Sequence, residues 1–301
     1  MTALEALRSL SAALGGRGNR DPHKEAEIIL TRGVGMERVP FYRDDPVLSP
    51  RQIGDMERIL ERRQKGEPLQ YIIGSVDFFG LDLRVGPGVL VPRPETELLV
   101  EEAIRTIGRK PPGVTGEAHG AESTENTLRL PPRSLRILDL CTGSGCIGLA
   151  LAKAFPEARV VGTDISEQAL AYAGVNARIN GIGNATFLKG DLFEPVKGRT
   201  FDLIVANPPY IRSGEIDALQ PEIKGWEPLE ALDGGRDGLR FYREILSCAS
   251  EYLVRGGSLI MELGQGEAGD VLKVAERSCM PGASVLRDYS GIERVLRLTF
   301  R

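Results

Sequence analysis

The chain reads as an α/β protein, with a mostly parallel sheet that ends in an antiparallel hairpin and a small all-α domain in front of it. Three observations predict this. Residues 1–73 carry mainly helical periodicity, residues 135–278 alternate short apolar runs with helical segments, and 284–300 holds two strand-like runs separated only by Ser290-Gly291. Alternation of strands and helices signals parallel strands joined by right-handed crossovers. Two strands joined by two residues pair antiparallel. A length of 301 residues accommodates two domains, expected as 1–73, a hairpin linker 74–94, and 95–301.

The elements follow in order. Leu4, Leu7, Leu10 and Leu14 share one helical face, with Thr2 and Glu5 forming a capping box ahead of it and Gly15 ending it. Asp21-Pro22, an N-cap followed by proline at the first helical position, opens a second helix to about Val34. Ser49-Pro50 with Gln52 opens a third, lined by Ile53, Met56, Ile59 and Leu60 and stopped by Gly66; its charged run 57–65 is read as a solvated face. Apolar runs at 76–79, 81–85 and 89–91, broken by turns, predict a hairpin between the domains. A helix over 95–108 shows Leu98, Leu99, Ala103 and Ile107 in period. Residues 109–133 are rich in Pro, Gly, Ser, Thr and Glu, and are expected to form a mobile surface loop without function. Strands are then predicted at 135–140, 159–163, 185–189, 201–206 and 258–263, helices at 146–155, 166–180, 238–254 and 266–278, and closing strands at 284–289 and 292–300.

Composition excludes several function classes. With 38 Lys+Arg against 42 Asp+Glu and a net charge of -4, the chain lacks the positive excess of a protein that coats nucleic acid. No apolar run approaches the ~20 residues of a membrane helix, and the N-terminus lacks the pattern of a signal peptide. A cytoplasmic protein acting as a monomer, with no membrane partner and no direct nucleic-acid partner, is expected. Cys141, Cys146, Cys248 and Cys279 form neither a CxxC pair nor a disulfide framework. The two histidines, His23 and His119, fall in the helical unit and the polar loop. No metal is expected. Glycine is the outlier, 36 of 301 residues, or about 12% against a usual ~7%.

Three of those glycines follow the first strand of the sheet. Asp139-Leu140-Cys141-Thr142-Gly143-Ser144-Gly145-Cys146-Ile147-Gly148 satisfies G-x-G-x-x-G between a strand and a helix, and Asp164 lies 21 residues after Gly143. This is a Rossmann-like arrangement, in which glycines let a nucleotide approach the backbone and a carboxylate holds ribose hydroxyls. Asp139 sits at the strand's carboxyl end. There it would repel a pyrophosphate but suit the ammonium and sulfonium of S-adenosylmethionine; a turn-capping role is the other reading.

A second motif, Asn207-Pro208-Pro209-Tyr210, ends the 201–206 strand. Each proline lacks an N–H and holds its predecessor extended. The Asn207 side-chain oxygen and the Pro208 carbonyl therefore stay available to accept the two N–H donors of a planar amide or aromatic amine, with Tyr210 on its π face. Such a nitrogen delocalises its lone pair, on the scale gauged by the ~18–20 kcal/mol barrier to amide rotation. Acceptors on its N–H bonds favour the charge that develops as it attacks a methyl group.

At these residues the chain resembles the HemK-type family of protein-(glutamine-N5) methyltransferases, which act on the glutamine of the Gly-Gly-Gln loop in class 1 peptide chain release factors. The resemblance extends to Asp77-Phe78-Phe79-Gly80-Leu81-Asp82-Leu83, to Val91-Pro92-Arg93-Pro94-Glu95-Thr96-Glu97-Leu98-Leu99-Val100, to Glu227-Pro228-Leu229-Glu230-Ala231-Leu232-Asp233-Gly234-Gly235 and to Asp237-Gly238-Leu239, in family order. It implies a class I methyltransferase sheet. It also implies that Cys141, Thr142, Gly143, Ser144, Gly145, Asp164 and Ile165 bind S-adenosyl-L-methionine, the product being S-adenosyl-L-homocysteine. Asp191 and Leu192 would flank the adenine. Asn207, Pro208 and Tyr210 would be catalytic, Asn207 touching both cofactor and substrate, with Pro209 completing the glutamine cradle. Phe79, Arg93, Pro94, Glu95 and Thr96 would close over the ligands, and the helical domain would dock the release factor. Cys141 departs from a glycine common in the family, and the 109–133 loop is long for it. An adenine-N6 nucleic-acid methyltransferase would use the same tetrapeptide, but the acidic pI of about 5.5 and the absence of a basic target-reading domain count against it. A nucleotide-binding module without chemistry is a further alternative.

Overall fold

The structure is a computed structural model that describes residues 1–15, 21–108, 134–278 and 282–300. The expected 109–133 loop, with His119 and Cys279, lies outside the described residues. Two compact units form, one of Met1–Ser75, Val85–Pro87 and Leu219–Glu227, the other of Val76–Arg84, Gly88–Ala218 and Pro228–Arg301. Residues 76–84, expected in the linker, thus group with the second unit.

In the first unit, α1 (Ala3–Leu14) starts at the predicted capping box and buries Ala3, Ala6, Leu7, Leu10 and Leu14. The second predicted helix is α2 (Pro22–Ile28), capped by the Asp21 carboxylate on the Lys24 amide. It widens into a π turn over Ile29–Gly33, closed by the Val34 amide on the Ile29 carbonyl at 2.8 Å. Two short helices escape the sequence pattern, α3 (Arg38–Asp44) and α5 (Leu69–Ile73), on either side of α4 (Pro50–Gln64) with its Ser49–Gln52 capping box. Each is too short to show an apolar period; α3 is held by Phe41, which is fully buried. The charged face of α4 is only partly solvated. Lys65–Glu61 is an exposed pair, worth little, but the Arg63 guanidinium, 15% exposed, bridges Glu25 and Glu222.

The second unit begins at Val76, within a hairpin of β1 (Ser75–Phe78) and β2 (Leu81–Arg84), turned at Phe79-Gly80 with both residues at positive φ. The run 89–91, predicted as a strand, is irregular instead, and its flanks Gly88 and Pro92 suit a loop. A 3₁₀ turn at Pro94–Thr96 leads into α6 (Glu97–Gly108). Then follow β3 (Arg136–Leu140), α7 (Cys146–Ala154), β4 (Arg159–Asp164), α8 (Glu167–Ile179), β5 (Ala185–Lys189) and β6 (Phe201–Ala206). The short α9 (Pro221–Lys224), a part of the first unit, precedes α10 (Arg240–Tyr252), β7 (Leu253–Glu262), α11 (Ala268–Ala275), β8 (Ser284–Arg287) and β9 (Glu293–Thr299).

The seven strands stand in the order β5-β4-β3-β6-β7-β9-β8. β5 to β7 are mutually parallel, while β9 pairs antiparallel with β7 and β8, as the sequence predicts. β7 starts five residues before the expected 258, directly from α10. The final turn is wider than Ser290-Gly291, because the Asp288 carboxylate accepts from the Ser290 and Ile292 amides at 2.9 Å. β3 is apolar on both faces because helices cover both. Leu138 and Leu140 join Ile204, Leu259, α10 and α11 in one core layer; Ile137 joins Leu203, Val205, α6 and α7 in the other. Strand order reverses at β3, which opens a crevice between the carboxyl ends of β3 and β6.

Candidate active site

The loop after β3 is built around a buried carboxylate. Asp139 is fully buried, and its Oδ2 accepts from the Thr142 hydroxyl at 2.5 Å and the Gly148 amide at 2.9 Å. A Cβ on residue 148 would stand 2.9 Å from that oxygen, so glycine is required for this approach. Burial, against those two hydrogen bonds, pushes the Asp139 carboxyl up to about 7. Asp139 is not on the wall of the adjacent cavity. The two bonds on Oδ2 fit the turn-capping reading, while Oδ1 keeps no hydrogen-bond partner.

Asp164, at the end of β4, ties the loop from the other side. Its Oδ2 accepts from the Gly143 amide at 2.8 Å and its Oδ1 from the Ser166 amide at 2.9 Å. Burial raises its pKa against these bonds. The Thr142 amide donates to the Thr163 carbonyl at 3.0 Å.

These strand ends surround a cleft with about 900 Å³ of empty space, open solvent at its mouth included. Of the residues singled out in the sequence, Cys141, Thr142, Gly143, Ser144, Asp164, Ile165, Asp191, Leu192, Asn207, Pro209, Arg93 and Thr96 line it. Gly145, Pro208, Tyr210, Phe79, Pro94 and Glu95 do not. Gly145 caps α7, and the Phe79 amide donates to Glu97 at 2.8 Å in the hairpin turn. The wall also includes residues the sequence reading left out, among them Val89, Leu90, Cys146, Pro228, Glu230, Ala231 and Phe241. The signal for the run 88–92 is its flanking Gly88 and Pro92, and 228–231 belongs to the block Glu227–Gly235 that carries the family resemblance. Three carboxylates, Asp164, Asp191 and Glu230, line the cleft against one guanidinium, Arg93. Ile165, 61% exposed, stands on the wall as an apolar surface.

Asn207 follows β6, and its Nδ2 donates to the Thr96 hydroxyl oxygen at 3.3 Å. Tyr210 is half-buried against the α10–α11 layer, with its hydroxyl 3.5 Å from Glu262 Oε1; burial first, then Glu262, pushes its pKa up. The backbone after it is clamped. The Ile211 amide donates to the Leu232 carbonyl at 2.9 Å and the Gly234 amide to the Ile211 carbonyl at 2.8 Å. A Cβ on residue 238, at φ +78, would lie 2.5 Å from the Tyr210 carbonyl oxygen, so the return strand of this clamp needs glycine.

Among the described residues no group of three or more His, Cys, Asp or Glu could hold a metal, and no helix is long and apolar enough to cross a membrane. Two family models match the chain, the PrmC N-terminal domain over residues 5–74 and the methyltransferase small domain over residues 119–222. It is 44% identical to a release factor glutamine methyltransferase of Thermodesulfovibrio yellowstonii (91% of each chain covered). It is 42% identical to one of Geobacter sulfurreducens (94% and 91%) and 36% identical to one of Moorella thermoacetica (98% and 97%). Among solved structures it resembles the hMettl16 catalytic domain in complex with MAT2A 3'UTR hairpin 6 (TM-score 0.53, 15% identity, 84% and 83% covered). It also resembles the T. thermophilus 16S rRNA N2 G1207 methyltransferase in complex with AdoMet and guanosine (TM-score 0.51, 21% identity, 75% and 50% covered). These two likenesses are of fold.

Proposed function

The chain belongs to the release factor glutamine methyltransferase family, and from that premise we propose that it methylates the side-chain amide nitrogen (N5) of the glutamine in the Gly-Gly-Gln loop of class 1 release factors, with S-adenosyl-L-methionine as donor. The observation that carries this reading is Asn207 on the wall of a cleft that holds three carboxylates to one guanidinium. Such a wall repels phosphate and suits a nucleoside that carries positive charge. When bound, S-adenosylmethionine supplies a methyl group activated by sulfonium sulfur.

The chain's own residues do the rest. Asp164 is anchored by the Gly143 and Ser166 amides and keeps lone pairs for ribose hydroxyls. Asp191, Leu192 and the exposed face of Ile165, all on the cleft wall, would bracket the adenine. Asn207 Oδ1 accepts one N–H of the glutamine amide, and Pro208, which does not itself line the cleft but lies between the wall residues Asn207 and Pro209, offers its carbonyl for the other, while Pro209 keeps that backbone extended. Acceptance of both N–H bonds aligns the nitrogen and favours the positive charge it gains on attack. As the N–C bond forms, the S–CH3 bond would break with its electron pair returning to sulfur to leave S-adenosyl-L-homocysteine, and one N–H proton of the strongly acidic protonated amide passes to solvent without a dedicated base. One glutamine is a small handle, so the helical unit is assigned to select the release factor.

The test combines labelled S-adenosylmethionine with four acceptors: an intact release factor with Gln in its Gly-Gly-Gln loop, the same factor with Ala there, a short Gly-Gly-Gln peptide, and nucleic acid. Label is expected on the Gln factor, with the peptide showing a higher KM. Equal labelling of the Gln and Ala factors, or label on nucleic acid alone, overturns the assignment. Asn207→Ala is expected to abolish turnover with an unchanged melting temperature.

A further inference from the structure

A side-chain amide has a donor end and an acceptor end, and rotation by a half-turn exchanges them. Which end of Asn207 faces the cleft decides what the site accepts. With Oδ1 outward it welcomes an N–H donor; with Nδ2 outward it would hold a carbonyl or a carboxylate. Asn207 itself cannot set this choice, and the groups behind it do.

Thr96 is 1% exposed and Glu262 is 3% exposed. Thr96 closes the 3₁₀ turn before α6, and Glu262 is the last residue of β7. Ala206 pairs with Met261 across β6 and β7, so register brings Glu262 alongside Asn207. The Thr96 hydroxyl lies close enough to the Glu262 carboxylate to lower its pKa, Glu262 Oε2 has no other hydrogen-bond partner, and Thr96 Oγ1 accepts from Asn207 Nδ2 at 3.3 Å. A hydroxyl has one proton and a carboxylate can only accept. With the proton of Thr96 committed to Glu262, the Thr96 oxygen can only accept from Asn207, and the asparagine must present Nδ2 inward. The same carboxylate takes the Tyr210 hydroxyl at 3.5 Å, and its backbone carbonyl takes the Tyr242 hydroxyl at 2.9 Å, which fixes the end of β7 in place.

We propose that Thr96 and Glu262 are positioning residues that hold the Asn207 amide with Oδ1 toward the cleft, so that the site takes an amide side chain and refuses the isosteric carboxylate. This rests on the reading of Asn207 as the acceptor for the substrate amide. Rejection arises because a carboxylate would set its oxygens against Oδ1 and the Pro208 carbonyl, with no proton between them.

The relay carries a pH signature. It is directional only while Glu262 is ionised, since a protonated carboxyl could donate to Thr96 and release the hydroxyl to turn toward Asn207. Burial pushes Glu262 up to about 7, opposed by the Thr96 hydrogen bond, the Arg294 charge and the Tyr210 hydroxyl, and assisted by Glu95; Tyr242 and Cys146 also face it electrostatically. Turnover should therefore rise with pH through neutrality.

The experiment measures kcat and KM against pH with an intact release factor. Thr96→Val is expected to lower kcat on the order of 10–100-fold with KM for S-adenosylmethionine within about threefold, and Thr96→Ser to restore most of it. Glu262→Gln is expected to lower kcat and to lose the rise through about pH 7 that the native enzyme shows. Wild-type kcat in a Thr96→Val protein that melts normally overturns the relay, as does a retained rise in Glu262→Gln should Thr96→Val not fold. Either result beside an inactive Asn207→Ala leaves the substrate reading standing; an active Asn207→Ala removes that reading as well.

Discussion

Cys141 shows how much of the site is decided by single backbone angles. Its φ is +55°, and with Leu192 at +42° it is one of two non-glycine residues of the cleft wall in the left-handed region, where a side chain costs of order 1–3 kcal/mol. Burial and the charges of Asp164 and Asp139 hold its thiol well above the usual range, so the residue is an uncharged wall. Cys141→Gly should leave stability to urea unchanged or slightly raised, whereas Cys141→Val should lower it by about 2 kcal/mol, since a β-branched side chain is least tolerant of that angle. Equal losses in both variants would show that volume, rather than the backbone, governs the position. The glycines around Cys141 were legible as a loop from their spacing. The partner of Asp139 was not, because the contact with Gly148 depends on a missing Cβ nine residues away, and no spacing rule records an absent atom. Asn207 was legible for the opposite reason, as prolines announce where backbone carbonyls stay unpaired.

At the scale of elements, α8 does more than cross from β4 to β5. Asn176, fully buried, accepts from the Arg84 amide at 2.6 Å and donates to the Arg84 carbonyl at 3.1 Å and the Ser144 carbonyl at 2.9 Å. One turn later, Asn180 repeats the pairing on Asp82. The helix thereby hydrogen-bonds β2 with side chains, as a neighbouring strand would with backbone. Removing the side chain at 176 strands one buried backbone group, the Ser144 carbonyl, and two part-buried ones on Arg84, at roughly 1–3 kcal/mol for the buried group and less for the others. Asn176→Ala is expected to lower unfolding free energy by about 3 kcal/mol in urea titration, and to speed amide exchange at Arg84 and Ser144; a loss below about 1 kcal/mol would mean that water replaces the asparagine. Long capped helices such as α1 and α4 were readable because caps and apolar periods are local. This pairing was not, since β2 and α8 are about ninety residues apart and two asparagines on a helix carry no pattern. The start of β7 was missed because Gly256-Gly257 reads as a turn, yet both are carried within the strand.

Across the whole molecule the buried carboxyls set the response to pH. Burial pushes Asp139, Glu262 and Glu267 each up to about 7. A carboxyl raised in the folded state binds a proton there that the unfolded chain releases, so its stabilising effect is full below the unfolded value and declines as pH rises through about 7. Asp237, drawn down to about 2 by the Arg243 hydrogen bond, and Asp288, lowered mainly by the Ile292 amide, act in the opposite sense and only in acid. The melting temperature should therefore peak near pH 4, where the lowered carboxyls are ionised and the raised ones still protonated in the folded chain, and fall from there to about pH 7. Glu267→Gln should flatten part of the fall, and a melting temperature that climbs steadily to pH 8 would contradict the burial of these groups. The clamp at Ile211 has a further consequence. The Leu232 and Gly234 bonds close the base of the excursion that leaves after Tyr210, and the Ser213 hydroxyl on Asp233 at 2.7 Å with the Ser213 amide on the Gly235 carbonyl at 2.9 Å ties the exposed 3₁₀ turn at Ser213–Ala218 to the same clamp. A substitution in that turn is therefore expected to reach the tetrapeptide only by way of the 232–235 segment that holds it.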